Sequence, residues 1–486
     1  MNQHYFDDGT GRNCMDKIRS FFQKNKSMMG TLLFAAFVLI QFSTMRLANQ
    51  AGRGYLATEQ QEFVYLFLQI IVIAGIMLHM LFYRLIRSRR VYDCFVTVVL
   101  CIVAFGEVTM LFAEESSLFY LVITGLTVLC LGFTIGAVYL KLSAAILEGA
   151  KAGACVGIGY AAATALQYVF QLQWTVKPVL LILLIASFTA LAIIFQSKSA
   201  DREDGAERDN KSLPPTKLII SAVITLSMLL FISYYNSYIH HLQIASGYND
   251  YNVYSWPRLL MIPAILMFCL IGDIRDGRFL PISALCVVVI ALLNTALLGR
   301  ETYLLNMCLY YISLTAVVAY YHLTFLRMAS RTRHPEIWAP MGRLLDSLIV
   351  IISFVFRFSE LSMSAVLAID IAALASILVL MAVNGDFNFN APPEPIKIIE
   401  TVSVPVPVPA PVADPFPAIE EEYGISPSEM KVLRELVMTS DKQEMIAERL
   451  NISISTLKHH ISSIYKKTNV KSRAALCQLA ESKRRS

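Results

Sequence analysis

The chain has 486 residues, of which 56% are hydrophobic and only 16% are charged, and its formal net charge is +5. This composition excludes an ordinary soluble globular protein, in which about a quarter of the residues are charged. It predicts a polytopic membrane protein with an additional, more polar part.

Twelve apolar segments of bilayer-spanning length follow a polar segment at residues 1–27. Most are about 20 residues long, the length that an α-helix needs to cross the hydrocarbon core. The first is interpreted as a retained helix rather than a cleaved signal peptide, because it is as long as a true span. The eighth is the shortest. The segments are 28–48, 61–83, 92–112, 118–140, 152–173, 178–196, 217–239, 257–272, 279–299, 302–325, 337–357 and 361–383.

Lysine and arginine are distributed unequally between the two sides that these spans define. About 21 of them fall on the side of the N-terminus, and about four fall on the other side. Because positive charge favours the cytoplasmic side of a membrane, we expect both termini to lie in the cytoplasm.

A charged loop at 197–217 divides the twelve segments into six and six. This layout resembles the major facilitator superfamily of transporters. The loop Gly272-Asp-Ile-Arg-Asp276-Gly277-Arg278 is similar to a shortened form of a cytoplasmic loop motif of that superfamily. The loop after the second segment departs from the motif, since it has arginines but neither glycine nor aspartate. The resemblance implies that helices one, four, seven and ten line a central cavity.

Ionisable side chains inside apolar spans are costly and indicate functional positions by default. Arg46, Arg258 and Arg343 lie near span ends, where the alternative is that they extend to the membrane interface. Glu107 and Asp370 are either ligand contacts or members of structural pairs. The full set is Arg46, His79, Glu107, Arg258, Arg343, Asp346 and Asp370.

Aromatic and amide side chains cluster on the seventh and tenth segments, which the resemblance places on the central cavity. We therefore predict a pocket for a small ligand, including an aromatic one. The alternative is an aromatic belt at the membrane interface. It suits Tyr238 and Tyr303 better than Asn236 and Asn306. The candidate ligand-binding residues are Tyr234, Tyr235, Asn236, Asn306, Tyr310, Glu107 and Asp370.

Residues 384–422 contain nine of the 18 prolines of the chain. This composition favours an extended polyproline II linker over a globular segment. A docking site for a partner is the alternative. We expect a spacer that holds the following domain clear of the bilayer.

Residues 423–486 predict a small soluble domain of four amphipathic helices. Ser426-Pro427 with Glu429 is a helix start, in which serine caps the helix and proline takes its first position. A second helix covers about 442–450, a third is capped by Ser453, and a fourth covers roughly 473–482. The domain has 12 Lys and Arg residues against six Asp and Glu residues. That excess is the electrostatic footprint of a protein that binds the phosphate backbone.

The third helix has the two faces that DNA recognition requires. Leu457, Ile461 and Ile464 recur at helical spacing and form an apolar stripe. The opposite face offers hydrogen-bond donors for base edges and phosphates. Those donors are Lys458, His459, Ser462 and Lys466.

Four motifs closely resemble the LuxR-type helix-turn-helix domain over about sixty residues without a gap. The resemblance implies base contacts by Lys458, His459 and Ser462, and phosphate contacts by Thr456, Lys466 and Lys442. It also implies that His460 is structural and that the last helix forms a dimer contact. The motifs are Ser426-Pro…Glu429…Val432-Leu433, Ile446-Ala447-Glu-Arg-Leu450-x-Ile-Ser453, Thr456-Leu-Lys458-x-His460 and Lys467…Val470-x-Ser-Arg473.

The sequence as a whole predicts an all-α, one-component transcription regulator embedded in a bacterial cell membrane, which senses a small molecule through a transporter-like domain at 28–383. One alternative is an active transporter of the major facilitator type with an appended regulatory domain, and another is a membrane anchor without a sensing role. Expected partners are double-stranded DNA, membrane lipid, a small-molecule ligand, a second copy of the chain and RNA polymerase. The nine cysteines are scattered, and no nucleophile elbow, phosphate loop or metal signature occurs. We therefore predict no enzyme activity, catalytic residue, metal or cofactor.

Overall fold

A computed structural model describes twelve stretches of the chain, and every regular element within them is a helix, as predicted. The chain divides into two compact units, Met1–Ile399 and Glu400–Ser486, and each has its own hydrophobic core. The described stretches are 25–51, 58–86, 88–113, 117–172, 177–196, 213–246, 256–297, 303–356, 361–387, 415–439, 443–470 and 472–485.

Twelve principal helices make up the described part of the first unit, one on each predicted apolar segment. A 3₁₀ turn at Trp256–Leu260 leads into the eighth, and a four-residue helix at Pro335–Trp338 precedes the eleventh. The helices are α1 Lys26–Ala48, α2 Thr58–Leu85, α3 Arg89–Phe112, α4 Leu118–Leu147, α5 Ala152–Leu172, α6 Lys177–Gln196, α7 Pro215–Ser246, α8 Met261–Asp273, α9 Leu280–Leu297, α10 Tyr303–Ala329, α11 Met341–Val355 and α12 Met363–Asn384.

Ten helices within the described residues are long and apolar enough to cross a membrane, and the α8 span includes the preceding 3₁₀ turn. The other two helices, α9 and α11, have shorter apolar stretches. The apolar part of α9 is limited to Leu280–Asn294, and α11 has 15 residues that include Arg343 and Asp346. This number of apolar helices indicates a membrane-associated protein, whereas the count of twelve spans stays a prediction.

The packing of α1–α6, the first half, is repeated by α7–α12, the second half. In the first half, α1 packs against α3, α4, α5 and α6, while α4 packs against α2 and α3. In the second half, α7 packs against α9, α10, α11 and α12, while α10 packs against α8 and α9. The pair α3 and α6 has its counterpart in α9 and α12. Each of these contacts therefore recurs six helices later.

The halves meet through another symmetric arrangement, in which α2 packs against α11 and α5 packs against α8. A Cβ atom added to Gly153 of α5 would lie 2.1 Å from the carbonyl oxygen of Cys269 on α8. Only glycine allows two helix backbones to approach this closely. The close approach of α5 and α8 therefore depends on this position.

Polar contacts join the halves at the end of the bundle where α8 ends and α5 begins. The Asp273 carboxylate accepts the backbone N–H groups of Gly153 at 2.7 Å and Ala154 at 3.0 Å. Arg327 donates to the same carboxylate at 3.0 Å. An acid at a helix N-terminus is favourable because the first N–H groups of a helix lack partners within it. Asp273 thus links α8 and α10 of the second half to α5 of the first.

The second unit contains five described helices, one more than the sequence predicts. The additional helix, α13, lies inside the predicted linker and packs against α14 and α17. Its Phe416 and Ile419 are buried. Residues 388–414 of the predicted linker lie outside the described residues. The helices are α13 Pro415–Tyr423, α14 Pro427–Met438, α15 Gln443–Arg449, α16 Ile454–Lys467 and α17 Arg473–Arg485.

The predicted starts of α14 and α16 are confirmed. Glu429 accepts the backbone N–H of Ser426 at 2.8 Å, and Ser426 accepts that of Glu429, which together form a capping box. Ser453 accepts the backbone N–H of Thr456 at 3.1 Å at the start of α16. Asn451 and Asn469, both with φ of 54°, follow α15 and α16. Asparagine tolerates this left-handed conformation better than most residues, so both positions stop a helix at little cost.

Candidate functional sites

The apolar stripe of α16 holds this helix on the rest of the second unit. Leu457, Ile461 and Ile464 are buried and share a core with Leu433 of α14 and Ile446 of α15. The stripe predicted from helical spacing is therefore confirmed. It determines which side of α16 faces outward.

The outward side of α16 presents the predicted DNA contacts together. We call Lys458, His459, Ser462 and Lys466 the donor face, and all four are exposed. Thr456 is also exposed, and its hydroxyl lies 2.7 Å from that of Ser453 at the start of the helix. The donor face thus combines cationic and neutral hydrogen-bond donors along one side of a helix, as groove recognition requires.

Of two further predicted positions, His460 and Lys442, the structure describes only His460. His460 is half-buried, so it lies between the donor face and the core rather than among the exposed donors. Its structural role stays a prediction. Lys442, a predicted phosphate contact, lies outside the described residues.

Glu429 of α14 clamps α16 in place. One carboxylate oxygen accepts the Ser463 hydroxyl at 2.6 Å, and the other accepts the Lys467 ammonium at 2.7 Å. Lys467 also donates to the carbonyl oxygen of Gly424 at 2.9 Å. The sequence predicts Glu429 only as part of a helix start. Its contacts with α16 set the orientation of the donor face.

The clamp leads to a prediction about pH. Burial alone would raise the pKa of Glu429, but hydrogen bonds from Lys467, Ser463 and the Ser426 backbone lower it from 4.5 to about 2. A carboxyl with a lowered pKa stabilises the fold above its unfolded pKa and loses that contribution as pH falls through its folded pKa. We expect Glu429→Gln to cost about 1–2 kcal/mol at pH 7, after allowance for solvent screening around the exposed part of Lys467.

Urea unfolding of the second unit between pH 7 and pH 2 measures this effect. The stability difference between wild type and Glu429→Gln should shrink below pH 4.5 and vanish near pH 2. Glu448→Gln, an exposed position on α15, is the matched control and should change little at any pH. A difference that persists undiminished at pH 2 would contradict the clamp.

Part of the positive charge in this unit is engaged in contacts between its helices. Besides Lys467, Arg449 forms an ion pair with Glu435 of α14 at 2.5 Å. Arg473 donates to the carbonyl oxygen of Leu436 at 2.8 Å and also reaches that of Thr439. These three cations hold helices together. The net charge counted from the sequence therefore overstates the positive charge available to a phosphate backbone.

In the first unit, three of the predicted pocket residues are brought together. The Tyr235 hydroxyl donates to the Asn306 side-chain oxygen at 3.1 Å, and the Asn294 amide donates to the same oxygen at 2.6 Å. Tyr310 packs edge-on against Tyr235, with ring centres 6.0 Å apart. Tyr234 is buried as well, whereas Asn236 is exposed. The described bonds of Asn306 thus connect α7, α9 and α10 within the second half.

The two predicted acids lie in separate surroundings. Glu107 on α3 is fully buried and is hydrogen-bonded to the Thr44 hydroxyl of α1. Asp370 on α12 is buried in the second half, on a helix that packs against α7. Each has one carboxyl oxygen without a hydrogen-bond partner among the described residues. Their role in ligand binding stays a prediction.

A contact between the halves was not predicted. His322 of α10 is buried, and its Nδ1 lies 2.8 Å from the carbonyl oxygen of Val318. In the neutral ring Nδ1–H donates to this oxygen, so Nε2 accepts the hydroxyl of Tyr139 of α4 at 2.7 Å. The sequence does mark His322 as notable, because an ionisable residue inside an apolar span indicates a functional or structural contact. The sequence pattern does not indicate that its partner is Tyr139.

Comparison with known proteins bears on the second unit. Residues 424–480 match the family model GerE, bacterial regulatory proteins of the luxR family. No curated protein matches the chain. The matched segment covers α14, α15, α16 and the first part of α17, and it contains the donor face. It is therefore similar to the helix-turn-helix domains that bind double-stranded DNA in transcription regulation.

Proposed function

We propose that this protein is a membrane-embedded, one-component transcription regulator. The observation that carries the proposal is the donor face. It is exposed on a helix that a buried stripe and the Glu429 clamp hold in place, within a segment similar to luxR-family regulators. Lys458, His459 and Ser462 read base edges, and Thr456, Lys466 and Lys442 contact phosphates. A second copy of the chain occupies the other half of the operator, and RNA polymerase receives the output.

The first unit is the sensor in this proposal, with an architecture like that of the major facilitator superfamily. Support comes from the packing repeated between the two halves and from the apolar helices themselves. A small molecule that binds one arrangement of the halves more tightly than another biases the DNA-binding unit through α12 and the proline-rich linker. The pocket on α7 and α10 is the site that the sequence predicts.

The second candidate function is active transport with an appended regulatory domain. The same repeated packing favours it, because two equivalent halves are able to expose a site between them to either side of a membrane. Uptake measured in cells with the full chain and with a chain ending at residue 399 separates the two functions. Uptake of an inducer by both chains would support transport, and none by either would support sensing.

DNA binding by the intact protein tests the proposal as a whole. Full-length protein in isolated membranes should retain a DNA sequence selected from a random pool, and Lys458→Ala protein should retain less of it at the same DNA concentration. Changed expression of a reporter gene downstream of that sequence, only when the full-length protein is present, would connect binding to regulation. Failure of the membranes to enrich any sequence would overturn the proposal.

The topology makes a separate prediction. With twelve spans and both termini in the cytoplasm, a reporter enzyme that is active only outside the cytoplasm should be silent when fused after Ser197 or Gly385. It should be active when fused after Ser116. The physical reason is the excess of lysine and arginine on the N-terminal side. Activity after Gly385 would make the number of spans odd and would separate the donor face from DNA.

A further inference from the structure

Glu107 is enclosed within the first half of the membrane unit, near the end of α3 at Phe112. The residue is 0% exposed, and one of its carboxyl oxygens has no hydrogen-bond partner among the described residues. The other oxygen is hydrogen-bonded to the hydroxyl of Thr44 on α1. An ionised carboxyl group in such a position loses its hydration and gains only one hydrogen bond in return, which makes the anion costly.

The Thr44 hydroxyl has only one hydrogen to donate. Its oxygen also lies 2.9 Å from the carbonyl oxygen of Ile40, which can only accept a hydrogen bond. If Glu107 is a neutral acid, it donates to Thr44 and Thr44 donates to Ile40, so both contacts are hydrogen bonds. If Glu107 is a carboxylate, the single hydrogen serves only one of the two acceptors. The contacts of Thr44 are therefore those expected beside a protonated Glu107.

The second half holds the corresponding helix with a group that cannot change its charge. Helix α9 takes the place of α3 there, and its buried Asn294 donates to the Asn306 side-chain oxygen of α10 at 2.6 Å. Asn294 lies three residues before the end of α9, and Glu107 lies five residues before the end of α3. A neutral amide is thus sufficient to attach this helix, so attachment alone does not require a titratable group.

The helices around α3, which are α1, α4 and α6, provide no described counterion for Glu107. Toward the same end of these helices, Arg46 follows Thr44 by two residues, and the Tyr120 phenol of α4 donates to the carbonyl oxygen of Leu47 at 2.7 Å. Neither is hydrogen-bonded to Glu107. The side chain of Lys177, which begins α6, lies outside the described residues. The remaining titratable groups of α1, α4 and α3 lie nearer the middle or the other end, and they are Lys26, Cys130, Tyr139, Lys141, Arg89, Arg90, Tyr92, Asp93, Cys94 and Cys101.

We propose that Glu107 is a proton-binding site of the membrane unit, and that it exchanges its proton with the solution at the end of the bundle where α3 ends. The carboxylate takes up one proton from that solution and becomes the neutral acid that the contacts of Thr44 indicate. Loss of the proton leaves an anion that needs water, so the adjoining ends of α1 and α3 must separate enough to hydrate it.

In the predicted topology this end of the bundle is extracytoplasmic. The inference deepens the proposed function, on which its regulatory part rests, by making the external pH an input to the sensor. The proton then favours the arrangement in which α1 and α3 are joined, and its loss favours a separated one.

Infrared spectra of the full-length protein in lipid nanodiscs, recorded without DNA between pH 5 and pH 10, test the site. A protonated carboxyl group absorbs at a higher frequency than a carboxylate, so its band should weaken as the pH rises. Glu107→Gln should remove this titrating band, whereas Asp370→Asn, at the other buried acid, should retain it. Asp93→Asn is the matched control on the same helix and should leave the band unchanged, because Asp93 is already ion-paired with Arg89.

A variant that shifts the band without removing it guards against simple misfolding. Thr44→Val should move the band to a higher frequency, because the acid then lacks its hydrogen-bond acceptor. Spectra without any band that depends on Glu107 would overturn the inference. A Glu107 band that keeps its full intensity up to pH 10 would also overturn it, since the proton would then not exchange.

Hydrogen–deuterium exchange of the backbone in residues 40–48 tests the separation of α1 from α3. Wild type and Glu107→Gln are compared at the same pH, so that the chemical dependence of amide exchange on pH cancels. Below the midpoint of the infrared titration the two proteins should exchange alike. Above it the wild type should exchange several-fold faster, and equal exchange there would contradict the separation.

The proposed function fails by a different measurement. A reporter gene under the selected operator should respond to the pH of the medium in cells with the wild-type protein, and not in cells with Glu107→Gln. If the infrared band titrates but the reporter does not respond, the proton site stands and its regulatory role falls. If the reporter responds to another compound and no infrared band depends on Glu107, sensing stands and the proton site falls.

Discussion

Replacing Phe416 with alanine is expected to destabilise the second unit by about 3–5 kcal/mol. Phe416 on α13 is buried, and the guanidinium of Arg434 lies 4.8 Å from its ring centre. The substitution removes a large apolar side chain from the core and also the cation–π contact. Whole domains are typically stable by only about 5–15 kcal/mol, so this loss is a large share of the total.

Urea unfolding of the fragment 400–486 measures this loss. Glu421→Ala on the same helix is the matched control, because Glu421 is exposed and its replacement should change stability by less than about 0.5 kcal/mol. The Phe416→Ala fragment should also unfold at a lower temperature. A loss below about 1 kcal/mol would show that α13 is not part of the folded unit.

Lys458→Ala should weaken operator binding more than any other single substitution on the donor face. The expected cost is about 1–3 kcal/mol, which corresponds to about a 5- to 150-fold rise in Kd. Lys458 follows the buried Leu457 in the first turn of α16 and is exposed, so its removal leaves the core intact. Fluorescence anisotropy with the fragment 400–486 and an operator selected from random DNA measures the change.

Lys466→Ala provides the contrast, because it removes a phosphate contact at the other end of the helix. It should weaken binding to all sequences about equally. The slope of the logarithm of the binding constant against the logarithm of the salt concentration should become shallower by about one. Lys458→Ala should in addition relax the preference for particular bases. Unchanged operator affinity of a folded Lys458→Ala fragment would show that this end of α16 does not enter the groove.

The sequence predicts the helices well because each depends on local signals. Apolar runs mark the positions of α1–α12, and serine caps mark the starts of α14 and α16. The sequence does not predict helix α13, because Pro415 and Pro417 lie in a proline-rich segment and such a composition favours a linker. Both prolines lie in the first turn, where the missing N–H groups have no partner within the helix in any case. Proline therefore does not exclude this helix.

The contacts between helices were beyond prediction for a different reason. Hydropathy locates a span but does not determine which side of it faces a neighbour. Arg258 and Gln167 are 91 residues apart in the chain, and Tyr139 and His322 are 183 apart. Similarly, the charge count includes Lys467 among the DNA-binding cations, although its ammonium is paired with Glu429.

Helix α13 also determines where mechanical force enters the DNA-binding unit. The covalent connection from the membrane unit arrives at Pro415, one residue before the buried Phe416. A pull on that connection acts first on a nine-residue helix that packs against α14 and α17. Within the described residues this helix leads directly into the core beneath the donor face, so a pull that reaches Pro415 acts on that core. Phe416 and Ile419 attach the helix to this core.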